Sequence, residues 1–123
     1  MSSRGEPQVL ARRVVVVETR VRAKDSEEAG RFRAYTLAAA RDAIQRGESP
    51  YLGHLFLPEV LAAPVDDSDP SLRSVGIHCH LSWIDRADAV VIYEDHGISS
   101  GMRYAIDRAI AIGVDVEYRK LYG

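Results

Sequence analysis

Four consecutive valines occupy positions 14–17, between Arg12 and Arg13 on one side and Glu18, Thr19 and Arg20 on the other. Branching at Cβ favours extended backbone. No polar residue alternates with the valines, so neither face of such a strand can be left to water. A strand covered on both faces belongs in the interior of a sheet with helices above and below it. A chain builds that most simply by alternating strands with helices.

The rest of the sequence follows that alternation. Asp25, Ser26, Glu27 and Glu28 make a good helix start. Ala29, Phe32, Leu37, Ala40 and Ile44 then fall near helical spacing up to Arg46, and Gly47 is a natural stop. Residues 50–56, PYLGHLF, predict a second strand, and 57–63 a helical turn. The run PVDDSDP at 64–70 is rich in turn formers. Ser68 or Asp69 can cap a helix with Pro70 at its first position. That helix runs to about Ile84, with Leu72, Val75, Ile77, Leu81 and Ile84 expected inside. Residues 87–93, ADAVVIY, predict a third buried strand, 94–100 a loop, 101–112 a helix ended by Gly113, and 114–118 a last strand. The expectation is an α/β fold: one Rossmann-like domain over 13–123. Its sheet is mostly parallel, of about four to five strands, with right-handed crossovers and helices on both faces. Residues 1–12 are expected to form a loose tail.

Composition narrows the function. A chain of 123 residues suggests one domain. Sixteen basic residues against eighteen acidic, scattered without a stripe, argue against a nucleic-acid partner. No apolar run approaches the roughly 18 residues of a membrane span, and no signal-peptide pattern opens the chain. The single cysteine, Cys79, excludes an internal disulfide and fits a reducing cytoplasm.

In parallel sheets ligands bind beyond the carboxyl ends of the strands. Three loops qualify here: 18–22, 53–56 and 94–101. In the last, GISSGM at 97–102 offers two glycines able to take positive φ, the hydroxyls of Ser99 and Ser100, and the free N–H groups of a helix N-terminus. Those parts suit a phosphate or carboxylate; they equally make an ordinary loop with a serine cap. No Walker lysine follows, and the first loop has no dinucleotide-binding glycines. Glu18 either faces solvent or points into the crevice, because burying a lone carboxylate is costly. There it would meet a ribose diol or a base amine, with Thr19 beside it. His54 is either a core histidine or a site residue. Asp95 either orients a sugar hydroxyl or caps the turn. Trp83 and Tyr93 are expected in the core, and Arg103 and Tyr104 face a ligand or a partner. His78, Cys79 and His80 project around a helix rather than toward one ion. Asp66, Asp67 and Asp69 make a solvated turn. No metal site is expected, and there is no nucleophile elbow.

Four stretches together resemble the nucleoside deoxyribosyltransferases, in particular their small phage and actinobacterial branch. These are VVVVET at 14–19, RGESPYLGHLF at 46–56, the spread from Val65 to Trp83, and RADAVVIYEDHGISSGM with its AI..A continuation at 86–109. The resemblance implies a Rossmann-like sheet, cleavage or exchange of N-glycosidic bonds without metal or organic cofactor, and a homodimer or larger assembly. It also implies a catalytic glutamate four residues beyond the glycine of a G-[TM]-x-x-E pattern. Here that pattern begins at Gly101–Met102, and the matching position is Ala105. Asp107 should point away, about 200° around the helix. The expected function is therefore nucleotide or nucleoside binding with the chemistry lost. The phosphate would lie on Gly97, Ser99, Ser100, Gly101 and Met102, a sugar hydroxyl on Glu18 and Asp95, with Thr19 a second donor, and the base edge at Tyr51 or His54; Arg20 is a further ligand-binding candidate. Two alternatives remain: hydrolysis or transfer with a relocated carboxylate, Glu18 or Asp95, and a non-catalytic interaction protein.

Overall fold

The computed structural model describes residues 12–53, 55 and 70–123, with 70–73 described by backbone alone. Four strands, β1 (Arg13–Glu18), β2 (Glu48–Tyr51), β3 (Ala89–Tyr93) and β4 (Asp115–Arg119), form one sheet in the order β2-β1-β3-β4. All three pairings are parallel. Among the described residues three helices alternate with them: α1 (Ser26–Gln45), α2 (Pro70–Ile84) and α3 (Ser100–Ile112). The expected single Rossmann-like α/β domain is what the chain forms.

The valine run behaves as its chemistry requires. Val15 and Val17 point to one face and pack with Tyr35, Ala39 and Ala43 of α1. Val16 points to the other, with Ile84 of α2 and Met102, Ala105, Ile106 and Ala109 of α3. Val15, Val16 and Val17 are fully buried, as fits one of the two interior strands, and both cores include β1 residues.

Two helix faces differ from expectation. The buried stripe of α1 is Phe32, Tyr35, Thr36, Ala39, Ala40 and Ala43, while Leu37 and Ile44 lie in solvent. The small residues win the sheet face because they let the helix axis come close. In α2, Val75, Ile77 and Trp83 are exposed; Ile84 is buried, and Leu81 packs against the same core. Only the C-terminal end of α2 therefore meets the sheet among the described side chains. The second strand is also shorter and earlier than predicted, ending at Tyr51. His54 and the expected turn at 57–63 lie outside the described residues.

At the α1 face a polar ring spans the sheet. Arg119 donates two hydrogen bonds of 2.7 Å to the carboxylate of Glu48, one of 3.1 Å to the Tyr93 hydroxyl and one of 2.9 Å to Glu117. Arg13 adds bonds to Glu48, at 3.0 Å, and to Glu117. Glu48 and Arg119 are 4% and 8% exposed, so each depends on the other for its solvation. The hydrogen bonds from Arg119 hold Glu48 below its ordinary pKa against the opposing effect of burial. Those from Arg13 lead the shift of Glu117 down to about 2.

Candidate functional site

The strand order places the switch point between β1 and β3, because the chain leaves β1 toward β2 and later returns on the other side. The crevice beyond their carboxyl ends is where a parallel sheet of this kind holds a ligand. Glu18 is the last residue of β1 and follows the parity of Val16, toward the α2 and α3 face. It is 6% exposed. Its Oε2 is hydrogen bonded to Nε2 of His80, which α2 brings over the end of the strand. Sixty-two positions separate these residues, and no spacing pattern pairs them. What signal existed was negative: a carboxylate ending a buried strand needs a partner.

Tyr51, at the end of β2, completes the arrangement. Its hydroxyl is the one buried polar side-chain atom without a hydrogen-bond partner among the described residues. Burial raises the phenol's pKa, so it stays protonated. Its ring stacks on Trp83 at 4.6 Å between centroids and 21° between planes. Trp83 was expected in the core; it is 47% exposed because α2 turns that side away from the sheet. Pro50, Tyr51, Leu52, Leu55 and Trp83 line an open depression of about 460 Å³.

Gly53 explains how Tyr51 and His80 come so near the backbone. A Cβ at this position would lie 2.5 Å from Nδ1 of His80, 2.9 Å from Cε2 of Tyr51 and 3.2 Å from its hydroxyl. Any larger residue has to displace one ring or the other.

On the β3 side lies the loop that leads into α3. Gly97 has φ +85°, as the turn requires, and its N–H bonds the carbonyl of Glu94 at 2.9 Å. Gly101 is different. It lies within α3 without positive φ, and an added Cβ would meet only Ser99 Oγ, at 3.9 Å. The Ser99 hydroxyl caps α3 by accepting from Met102 N at 3.2 Å. Met102 is buried and returns the contact through its sulfur, which makes it a packing residue. Ser100 is exposed at the first turn. Arg20 is half-buried, and its guanidinium comes 3.7 Å from the position of a Gly97 Cβ.

Thr19 and Asp95 turn to the other face. Thr19 is buried and hydrogen bonded to Thr36 of α1. The Asp95 carboxylate takes a bond from the Tyr35 hydroxyl, from Leu121 N at 2.8 Å and from Tyr122 N at 3.1 Å. Burial opposes its ionisation, but these donors outweigh burial and hold its pKa below the ordinary value. Asp95 thus ties the end of the chain to α1. Ala105 is 2% exposed in the core between α3 and the sheet, whereas Asp107 is exposed. Among the described residues no group of three His, Cys, Asp or Glu side chains is arranged to hold a metal, and no helix is long and apolar enough to cross a membrane.

Residues 13–119 match a domain of unknown function, DUF7768. The chain belongs to that family. The match spans the four strands and three helices of the described residues, so Glu18, Tyr51, His80 and the loop before α3 lie inside the family's domain. No curated protein matches the sequence.

Proposed function

We propose that this protein binds a nucleotide, in its simplest form a nucleoside monophosphate, across the carboxyl ends of β2, β1 and β3. The observation that carries the proposal is the order of three chemistries along the sheet. A stacked aromatic pair, with Trp83 exposed and Tyr51 half-buried, and an apolar depression stand at β2. A buried carboxylate stands at β1. A helix N-terminus with Arg20 beside it follows β3. Neighbouring strands are about 4.8 Å apart, so the three lie in a row roughly 10 Å long. A nucleoside monophosphate presents a flat base, a hydroxylated sugar and an anion in that order. The base stacks on Trp83, the sugar lies over Glu18, and the phosphate lies between Arg20 and the first N–H groups of α3. The sequence resemblance to nucleoside deoxyribosyltransferases points the same way.

Equilibrium dialysis with a nucleoside monophosphate, its nucleoside and its free base tests the row. Removal of the phosphate should weaken binding by about 10–100-fold, the worth of one or two charge-assisted hydrogen bonds. Arg20→Ala should weaken only the phosphorylated ligand, and Trp83→Ala should weaken all three. If none of the three ligands is retained at millimolar concentration, the proposal fails.

A further inference from the structure

Among the described residues the sheet has two free edges, β2 and β4. β2 carries Pro50, which has no N–H to offer a further strand. β4 carries no such block. We propose that the outer edge of β4 is where two copies of this chain pair, strand against antiparallel strand, into one continuous sheet.

The pairing with β3 shows which main-chain groups are free. Glu94 N–H donates to the Arg119 carbonyl at 3.0 Å, so Arg119 turns its main-chain groups toward β3. Alternation along the strand turns Glu117 the same way, and Val116 and Tyr118 outward. No strand among the described residues meets those outward N–H and C=O groups. The side chains beside them are apolar. Tyr118 is 49% exposed and follows the parity of Val116, toward the α2 and α3 face. Arg108 of α3 bonds Asp85, next to the end of α2, at 2.9 Å. Ile110 is two residues on, about 200° around the helix, and so lies on the flank away from α2, the side of β4. It is 65% exposed. An open edge with an aromatic and an aliphatic side chain along it is a surface that a further strand completes.

Charge selects a second copy as that strand. Two copies related by a two-fold axis at this edge present β4 to each other antiparallel. Opposite charges facing each other across such a pair stabilise it, and like charges oppose it. With the axis at Tyr118, Glu117 faces the partner's Arg119, and Arg119 faces the partner's Glu117. One residue earlier, Glu117 would face the partner's Glu117. Two earlier, Asp115 would face the partner's Glu117, and one later, Arg119 would face the partner's Arg119. The sequence of β4 is thus complementary to itself in the register centred on Tyr118. Glu117 is only half-buried, so the neighbouring chain can approach its carboxylate. In that register the two Tyr118 residues exchange main-chain hydrogen bonds at the axis. Their rings form a cross-strand aromatic pair, with Ile110 of each copy alongside.

Sedimentation velocity from roughly 1 μM to 1 mM, with amide hydrogen exchange read by NMR, tests the pairing on the full chain. The protein should pass from monomer to dimer within that range. As it does, exchange at the Val116 and Tyr118 amides should slow at least about tenfold, whereas the Glu117 and Arg119 amides, which face β3, should be slow throughout. Tyr118→Pro removes one outward N–H from each copy and no bond to β3. It should weaken dimerisation at least about tenfold with the far-ultraviolet dichroism unchanged. Ile110→Lys leaves the strand untouched and should weaken dimerisation as well, which keeps the proposal testable if the proline disturbs the fold. A monomer at every concentration overturns the proposal, as does a dimer that both variants leave intact. A dimer in which the Val116 and Tyr118 amides exchange as fast as in the monomer overturns it by placing the interface elsewhere. Slow exchange of those two amides in the monomer overturns it by showing that another segment of the chain already covers the edge.

Discussion

Arg119 and Glu48 give the sharpest test of what holds the sheet together. They come from the two edge strands, β4 and β2, and meet at the α1 face with two bonds of 2.7 Å. Replacing Arg119 by Met keeps much of the bulk and removes the charge. Glu48 would then remain buried with one partner, Arg13, at 3.0 Å. Breaking a buried pair from one side costs about 3–5 kcal/mol, and the surviving Arg13 contact argues for the lower end. The Tyr93 hydroxyl keeps its 2.7 Å bond to Asp42, so it adds little to the loss. Against a total stability of about 5–15 kcal/mol this is a large fraction, and it corresponds to a fall in Tm of roughly 10 °C or more. Urea melts followed by circular dichroism measure it. The companion variant, Arg119→Met with Glu48→Leu, removes both charges and leaves Arg13 paired with Glu117. It should recover most of the lost stability, because the penalty lies in the stranded carboxylate and not in the missing attraction. A single variant that loses less than about 1 kcal/mol, or a double variant less stable than the single, would refute this account.

Four further outcomes follow from the same structure. Because Glu48 and Glu117 have lowered pKa values when folded, their contribution is complete above the ordinary carboxylate value of 4.5. It is lost as pH falls from there toward about 2 for Glu117, so melts across that range should show stability declining with acid. Gly53→Ala should displace His80 or Tyr51 and weaken nucleotide retention at least about tenfold while the far-ultraviolet dichroism is unchanged. Ala105→Glu should destabilise by about 3 kcal/mol or more without producing transferase activity, since position 105 faces the core; transfer between nucleosides by a folded variant would contradict that. Asp95→Asn should speed hydrogen exchange at the Leu121 and Tyr122 amides, which donate to Asp95, at a cost of about 1–3 kcal/mol.

The fold was legible because its strongest signal is chemical. A β-branched run such as 14–17 has few ways to be satisfied, and ADAVVIY near residue 90 repeats the demand. The helix termini were legible for the same reason: Asp25 accepts from Glu28 N at 2.8 Å, and Gly113 takes φ +80°. Helix faces were harder. Apolar residues lie all around α2, so its sequence does not choose a side, and among its described side chains contact with the core comes at the C-terminal end, through Leu81 and Ile84. The polar ring was invisible for a different reason. Glu48, Glu117 and Arg119 look like ordinary surface charges until strand order brings β2 and β4 residues within reach of each other.

The site shows where sequence reasoning stops short by one step. Glu18 and Asp95 both follow buried strands and invite assignment to one crevice. Side chains alternate faces along a strand, however, and the register decides between them. Glu18 pairs with Ile92, and both belong to the α2 and α3 face. Tyr93 points to the α1 face, and Asp95, two residues on, bonds Tyr35 of α1. The two carboxylates therefore stand on opposite faces of the sheet. One pins the chain terminus, and the other is left with a histidine, a buried phenol and an open aromatic wall. Parity within each strand could have been read from the sequence. The offset between β1 and β3 could not, because it is set by how the two cores pack, and it is that offset which leaves Glu18 as the carboxylate in the crevice.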